Sequence, residues 1–218
     1  PLQIAAAVGH VDCLVALAAA HAALDRRDAC GATALHAAVS MGHVECARAL
    51  LKARADANVA DNDGATPLAT ACKAESGDAV VRCVRLLLEA SASVDRCDFL
   101  GTTPLLLAAA LGHERCIRLL LGARAAVDRA DSNGETALHA ACEMGHTGSA
   151  RLLIDAHAMV DAAATRDGIT PLLLAATHGR LECAGLLLRR RSDVDRSDHA
   201  RCTPLLVASR QGHGPLVG

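Results

Sequence analysis

The stretch TALHAAVSMGHVECARALL, residues 33–51, recurs almost unchanged as TALHAACEMGHTGSARLLI at residues 136–154. The two copies begin 103 residues apart, which equals three periods of 33 plus four residues. Two more copies lie between them, beginning TPLATACK at Thr66 and TPLLLAAA at Thr103. Self-similarity at a fixed period of this length is typical of a protein built from stacked structural repeats.

Alignment on the threonine divides the whole chain into repeat units. The units are 1–27, 28–60, 61–97, 98–130, 131–164, 165–197 and 198–218, of which the first and the last are incomplete. Because they account for all 218 residues, we expect a single array over 1–218. Neither end carries the polar capping unit that solenoids need for solubility, so we expect this array to be a fragment of a longer polypeptide.

Composition favours closely packed helices and excludes several classes of function. The chain is 52% apolar but contains one aromatic residue, Phe99, so its core must be built mainly from the helix formers alanine and leucine. A net charge of −2 argues against a nucleic-acid partner. No run of 18 apolar residues predicts membrane insertion. Ten cysteines without short paired spacing favour a reducing compartment, the cytoplasm, with the nucleus as the alternative.

Each position in the repeat has a predicted structural role. The threonine precedes a helical run and can accept hydrogen bonds from the first turn, in four units with proline following it at the first helical position. This first helix should end near a glycine: Gly42, Gly112, Gly145, Gly179 or Gly212. A leucine-rich second helix, an extended segment and a D-x-x-G turn complete the unit.

The pattern resembles the ankyrin repeat, whose period is 33 and whose signature is T-P-L-H-x-A. The resemblance implies an all-α solenoid of about six to seven stacked helix–turn–helix units, with short β-hairpin fingers between units. It also implies a non-enzymatic protein–protein interaction module or scaffold, a monomer without cofactors that binds a partner protein through its concave face and fingertips. The alternatives are a substrate-recognition adaptor of a ubiquitin ligase and a regulatory array of a larger enzyme or channel. Asn58 resembles a site of asparaginyl hydroxylation in such repeats.

The sequence departs from the family pattern at four places. Four extra residues lie around Lys73–Asp78, and one lies near Ala162–Ala164. Arg201 replaces the turn glycine of the last unit, so we expect that finger to be distorted or strained. The position after each second helix usually holds a glycine in the left-handed conformation, but here it holds His21, Arg54, Ser91, Arg124, His157 and Arg191.

Several residues resemble chemical sites but fit packing better. Three His-x-x-Cys pairs resemble half of a zinc site, at His10/Cys13, His43/Cys46 and His113/Cys116. Equivalent positions of adjacent units lie about 8–10 Å apart, so we expect no metal site. We predict instead a buried cysteine stripe on the second helices: Cys13, Cys46, Cys83, Cys116 and Cys183. His36 and His139 exchange with leucine at their repeat position, which favours packing over catalysis.

The positions that remain for function are the fingertips and the outward side of the first helices. Phe99 lies at a predicted fingertip beside Leu100, and aromatic anchors dominate the energetics of interfaces. The alternative is a tip that folds back on its neighbour. We predict a binding groove centred on the third and fourth full units, formed by Phe99, Leu100, Leu111, Asn133, Glu135, Glu143 and Met144 and flanked by Ile169 and His178.

Overall fold

The computed structural model describes residues 1–75 and 77–213, which contain thirteen helices and no strand. The all-α class is thereby confirmed, and the fingers are hydrogen-bonded turns. The last unit's predicted second helix begins outside the described residues. The helices are α1 (Leu2–Val8), α2 (Val11–Ala19), α3 (Ala34–Ser40), α4 (Val44–Lys52), α5 (Pro67–Lys73), α6 (Asp78–Glu89), α7 (Pro104–Ala110), α8 (Glu114–Gly122), α9 (Ala137–Met144), α10 (Thr147–Asp155), α11 (Pro171–Thr177), α12 (Leu181–Arg189) and α13 (Pro204–Arg210).

These helices form two compact units, the first from residues 1–104 and 122–125, the second from 105–121 and the described part of 126–218. In the first unit α1 packs on α3 and α3 on α5, while α2 packs on α4 and α4 on α6. In the second, α9 packs on α11 and α11 on α13, while α10 packs on α12. Within each compact unit, neighbouring repeats therefore bury their apolar side chains, mostly alanine and leucine, against one another. A single continuous array stays a prediction.

The threonines begin the first helices as predicted. The hydroxyls of Thr66, Thr170 and Thr203 accept hydrogen bonds from the backbone N–H three residues later, at 3.3, 3.2 and 3.4 Å. In each case proline occupies the first helical position, where no intrahelical N–H is needed. The first helices therefore begin at the positions that the sequence repeat predicts.

His36 and His139 complete a capping box in the two units that lack this proline. The backbone N–H of Thr33 donates to Nδ1 of His36, and that of Thr136 donates to Nδ1 of His139, both at 3.1 Å. The other ring nitrogen, Nε2, donates to a carbonyl in the next finger, Ala65 at 3.2 Å and Ile169 at 3.1 Å. Both imidazoles are therefore neutral, with the proton on Nε2, and they tie one repeat to the next.

Protonation of these histidines opposes folding. Burial lowers the pKa of both His36 and His139 below the ordinary 6.5, although hydrogen bonds to backbone carbonyls partly oppose the shift. As the pH falls below 6.5 the unfolded chain binds protons that the folded chain does not, so stability falls. We expect the double variant His36→Leu/His139→Leu to lose less stability between pH 7 and pH 5 than the wild type, as measured by urea unfolding at each pH. Parallel pH profiles would contradict this expectation.

The residues after the second helices adopt the left-handed conformation that their register predicts. The φ angles of the six positions lie between 59° and 72°, at His21, Arg54, Ser91, Arg124, His157 and Arg191. Around Arg54 the helix ends in a Schellman motif, because Ala55 N–H donates to Leu50 O and Arg54 N–H donates to Leu51 O, both at 3.0 Å. The hydrogen bonds of the motif fix this backbone independently of the side chain.

We expect Arg54→Gly to leave the free energy of unfolding unchanged or to raise it slightly. A non-glycine residue in the left-handed region costs about 1 kcal/mol. The positive charge near the helix C-terminus offsets roughly 0.3–1 kcal/mol of that cost. Urea denaturation of the variant measures the net change in the free energy of unfolding. A clear fall in the midpoint would show that the arginine side chain stabilises the protein by more than the backbone strain costs.

The structure shows how the two irregular fingers accommodate their departures from the repeat. Arg201 adopts φ 61° yet keeps the finger's hydrogen bonds, from Asp198 N–H to Cys202 O at 3.1 Å and from Arg201 N–H to Asp198 O at 3.0 Å. That finger is strained at one residue but is not distorted. The extra residue expected near Ala162–Ala164 enlarges the finger turn itself: Ala164 N–H donates to Ile169 O at 2.8 Å, one residue further along than Asp61 to Ala65.

The four extra residues of the second full unit mostly lengthen a helix. α6 has 12 residues, whereas α4 and α8 have 9, and the added turn lies at its N-terminus. Gly77 precedes it in an extended conformation, so the left-handed glycine turn of the other units is absent here. Ser76, within the predicted insertion, lies outside the described residues.

Candidate functional site

Each finger is a turn organised by one aspartate. In the finger that carries Phe99, Oδ1 of Asp98 accepts hydrogen bonds from the backbone N–H groups of Leu100 and Thr102, at 2.9 and 2.8 Å. Gly101 N–H donates to the Asp98 carbonyl at 3.0 Å. Because Asp98 satisfies these backbone donors, the turn does not depend on the side chains of Phe99 and Leu100.

Neighbouring fingers are joined through their main chains. Phe99 N–H donates to the Asp63 carbonyl at 3.0 Å in the first compact unit. In the second, Thr165 N–H donates to the Asn133 carbonyl at 3.0 Å. These bonds fix where each tip lies relative to the next one, so the tips present a preorganised set of side chains rather than independent loops.

Phe99 and Leu100 form an exposed apolar pair, which we name the fingertip patch. Phe99 is 80% exposed and Leu100 is 67% exposed. One edge of the aromatic ring lies against Gly64, where an added Cβ would stand 3.0 Å from Phe99 Cδ1. The ring therefore has a fixed seat and still presents most of its surface to solvent, so the alternative of a tip folded into its neighbour does not hold.

A second set of candidate residues, which we name the helix-end patch, lies in the second compact unit. Leu111, Met144 and His178 occupy the same repeat position at the end of a first helix, and the two apolar ones are 43% and 49% exposed. Met41 stands at this position in the first compact unit and is 61% exposed. Met41 is not among the residues predicted from the sequence, although its repeat position could have identified it.

Glu135 and Glu143 give this patch a negative potential. Burial raises the pKa of Glu135 above its ordinary value, and the carboxylates of Asp131, Glu143 and Asp167 raise it further. In these surroundings the charged form of the Glu135 side chain is less favourable in the free protein than it would be in water. A cationic group from a partner would relieve that repulsion.

Asn133 and Ile169 serve the framework through their main chains. The Asn133 carbonyl accepts from both the backbone N–H and the hydroxyl of Thr165, at 3.0 and 3.1 Å. The Ile169 carbonyl accepts from His139 and from Ala164. Both residues are half-buried, so only the outer atoms of their side chains are available to a ligand.

The histidines of the His-x-x-Cys pairs are framework residues. Nε2 of His43 donates to the Ala7 carbonyl at 3.1 Å, and its ring lies so close to Gly9 that a Cβ there would stand 2.9 Å away. Arg180 takes the same place in a later unit, where its Nε donates to the Glu143 carbonyl at 2.9 Å. Within residues 1–75 and 77–213, no group of three or more histidine, cysteine or acidic side chains is arranged to hold a metal ion.

The cysteine stripe needs one correction. Cys46, Cys83, Cys116 and Cys183 are buried as predicted, but Cys13 is exposed. Cys13 lies on α2, which packs on α4. Repeat position alone therefore does not decide burial, because a side chain in a stack is covered by the neighbouring unit.

The basic run Arg189–Arg191 is tied to the framework. Arg190 forms a 2.7 Å ion pair with Asp155, and Arg191 is one of the left-handed residues.

Asn58 likewise bridges two loops, since its Oδ1 accepts from Ser93 N–H at 2.7 Å. Its hydroxylation stays a prediction. No helix in the described part of the chain has the length and apolar character needed to cross a membrane.

Comparison with solved structures identifies one fold. The ankyrin repeat domain of human ASB11, a crystal structure, is similar at a TM-score of 0.86 and 29% identity, over 100% of this chain and 96% of that chain. In all, 579 chains of solved structures match, so likeness of fold does not single out a partner. A comparison with curated proteins gave no significant match.

Family models give the assignment directly. The model described as ankyrin repeats (3 copies) matches residues 2–98 and 74–164, and the ankyrin repeat model matches residues 167–199. The matched segments correspond to the helix pairs and fingers of both compact units, and no enzymatic family is among the matches. The chain belongs to the ankyrin-repeat family.

Proposed function

We propose that this chain is a non-catalytic module that binds a partner protein through its fingertip patch and its helix-end patch. Ankyrin repeats bind other proteins, and the partner here is recognised by side chains that the framework does not use. The observation that carries the proposal is the exposure of Phe99 at 80% and Leu100 at 67% in a chain with no other aromatic residue. Exposed apolar surface at a rigid position is typical of contact sites.

The helix-end patch adds charge selectivity to this apolar anchor. Glu135 and Glu143 lie among acidic neighbours, and Met144 and Leu111 expose apolar side chains in the same compact unit. A partner segment with a lysine or arginine beside an aliphatic side chain complements this combination. Electrostatic complementarity of this kind governs specificity and the association rate more than raw affinity.

Phe99→Ala is expected to weaken partner binding by more than about 1 kcal/mol while leaving the thermal midpoint nearly unchanged. The side chain contributes little to the core because four fifths of it is exposed. The partner is first captured with the wild-type chain and identified by mass spectrometry, and its affinity for each variant is then measured by calorimetry.

Leu188→Ala is the matched control, because Leu188 is an apolar side chain that is 45% exposed on a second helix and belongs to neither patch. A partner that binds Phe99→Ala as tightly as it binds the wild type would overturn the proposal for the fingertip patch. Glu143→Ala tests the helix-end patch in the same way. Ubiquitin ligase subunits among the captured proteins would instead favour the adaptor function.

A further inference from the structure

Asn133 is the one asparagine of the chain that precedes a glycine. The other two are Asn58, followed by valine, and Asn62, followed by aspartate. The backbone nitrogen after an asparagine can attack the carboxamide carbon of that asparagine, and a side chain on the following residue hinders the attack. Gly134 has no side chain, so the sequence makes Asn133 the most reactive of the three.

The three carboxamides are also held differently in the structure. Nδ2 of Asn62 donates to the Ala29 carbonyl at 2.9 Å, and Oδ1 of Asn58 accepts from Ser93 N–H at 2.7 Å. Among the described residues, the Asn133 carboxamide has no hydrogen-bond partner, because the hydrogen bonds of this residue are made by its main chain. No side-chain bond therefore has to break before this carboxamide can turn toward the main chain.

Hydrogen bonds of the finger restrain the attacking nitrogen. Gly134 N–H donates to the Asp131 carbonyl at 3.0 Å. The Asn133 carbonyl accepts from the N–H and the hydroxyl of Thr165, at 3.0 and 3.1 Å. The attack requires the Gly134 nitrogen to leave its bond and give up its proton, so the finger has to open locally. Such an opening breaks a few hydrogen bonds and requires far less energy than global unfolding.

We propose that Asn133–Gly134 is a self-modification site, at which the chain deamidates through a succinimide when this finger opens. In the first step the deprotonated Gly134 nitrogen attacks Cγ of Asn133, a C–N bond forms, and the carboxamide nitrogen leaves as ammonia. In the second step water adds to one of the two ring carbonyls, and the bond from that carbon to the ring nitrogen breaks. Addition at Cγ gives aspartate, and addition at the main-chain carbonyl carbon gives isoaspartate. Overall, one asparagine and one water give one acidic residue and one ammonia.

The two products affect the finger differently. Aspartate occupies this finger position in another unit, at Asp63, within the same hydrogen-bonded turn, so the aspartate product fits. It adds a negative charge beside Asp131, whose Oδ1 accepts from Asn133 N–H at 2.8 Å. Isoaspartate routes the main chain through Cγ, which adds a methylene group to the turn. The carbonyl that Thr165 contacts then becomes a carboxylate outside the main chain, so the link between the two fingers is loosened.

The test is a tryptic peptide map of the folded protein after prolonged incubation at mildly alkaline pH, beside a sample unfolded in guanidinium chloride. Trypsin isolates Asn133 in the peptide 130–151, and it leaves Asn58 and Asn62 together in the peptide 55–73. We expect peptide 130–151 of the folded protein to gain one dalton and to separate into an aspartate form and an isoaspartate form. Peptide 55–73 should keep its mass. The gain should be slower in the folded protein than in the unfolded one, because the finger has to open first.

Thr165→Ala removes the hydroxyl that bonds to the Asn133 carbonyl, so the finger should open more often. Deamidation should then be faster than in the wild type when both are folded, and equally fast when both are unfolded. Equal rates in the folded proteins would overturn the proposal, because the reaction would not pass through an opening of this finger. So would a folded wild type that stays unmodified at Asn133 through many half-lives of the unfolded-state reaction, or equal conversion of Asn58 or Asn62.

Asn133→Asp is the control for the effect on stability, since it carries the added charge on an unaltered main chain. Incubated wild-type protein that contains isoaspartate should have a lower thermal midpoint than freshly prepared Asn133→Asp. An isoaspartate form as stable as Asn133→Asp would contradict the loosened link between the fingers.

Discussion

Gly134→Ala is expected to lower the free energy of unfolding by about 3 kcal/mol, because two costs add at this finger. Gly134 has φ 84°, where an alanine is strained by about 1–2 kcal/mol. An added Cβ would stand 2.3 Å from the backbone nitrogen of Thr165, and forcing atoms into a packed site typically costs about 1–3 kcal/mol. Urea denaturation followed by circular dichroism measures the loss.

Arg201→Ala is the matched control for this substitution. Arg201 occupies the turn position of Gly134 in the last unit and has φ 61°, so alanine at 201 meets the same backbone conformation. An exposed substitution of this kind should change stability by less than about 0.5 kcal/mol. If Gly134→Ala proved as mild as Arg201→Ala, the fingers would not be in the close contact that the structure shows.

Ser149→Cys is expected to raise the free energy of unfolding by about 1–3 kcal/mol, the cost of a buried hydroxyl without a hydrogen-bond partner. Ser149 lies on α10 at the repeat position that Cys46, Cys83, Cys116 and Cys183 occupy elsewhere, and it is 1% exposed. Among the described residues nothing hydrogen-bonds its Oγ. The thiol is less polar and fills the space at least as well.

Ser149→Ala separates the effect of removing the unpaired hydroxyl from the effect of filling space with sulfur. It removes the hydroxyl without adding volume. We expect alanine to be stabilising by less than cysteine, since it leaves a small void. Thermal and urea midpoints of both variants provide the measurement. A loss of stability in both would mean that the Ser149 hydroxyl has a partner and that this position differs from the rest of the stripe.

The regular parts of the fold follow from the sequence because each depends on residues close together in the chain. A threonine followed by proline sets the start of a helix locally, and the register of the repeat places Arg54 and Arg124 in the left-handed region. The family assignment and the all-α class follow from the same periodicity. These features require no knowledge of which neighbour a unit meets.

The features that the sequence did not predict depend on contacts that form in the folded chain. Cys13 is exposed, although its repeat position matches that of the buried Cys46. His36 was assigned to packing, but its hydrogen bonds to Thr33 and to the next finger appear only in three dimensions.

The candidate site also has some features that follow from the sequence and others that only the structure shows. The sequence left two alternatives for Phe99 and Leu100, an exposed tip and a tip folded back on its neighbour, and the structure has them exposed. Asn133 and Ile169 were assigned to a groove, and their main chains turn out to hold adjacent segments together. Whether the fingertip patch and the helix-end patch bind one partner as a single groove stays a prediction.

Site-specific photo-crosslinking tests the central claim most directly. A benzophenone amino acid is placed at Phe99, at Met144 or at Leu188, three exposed positions that tolerate a bulky aromatic group. The account predicts that irradiation in cell extract joins the same partner protein to positions 99 and 144 and leaves position 188 unreacted. A partner captured at position 188 and at neither of the other two would contradict it.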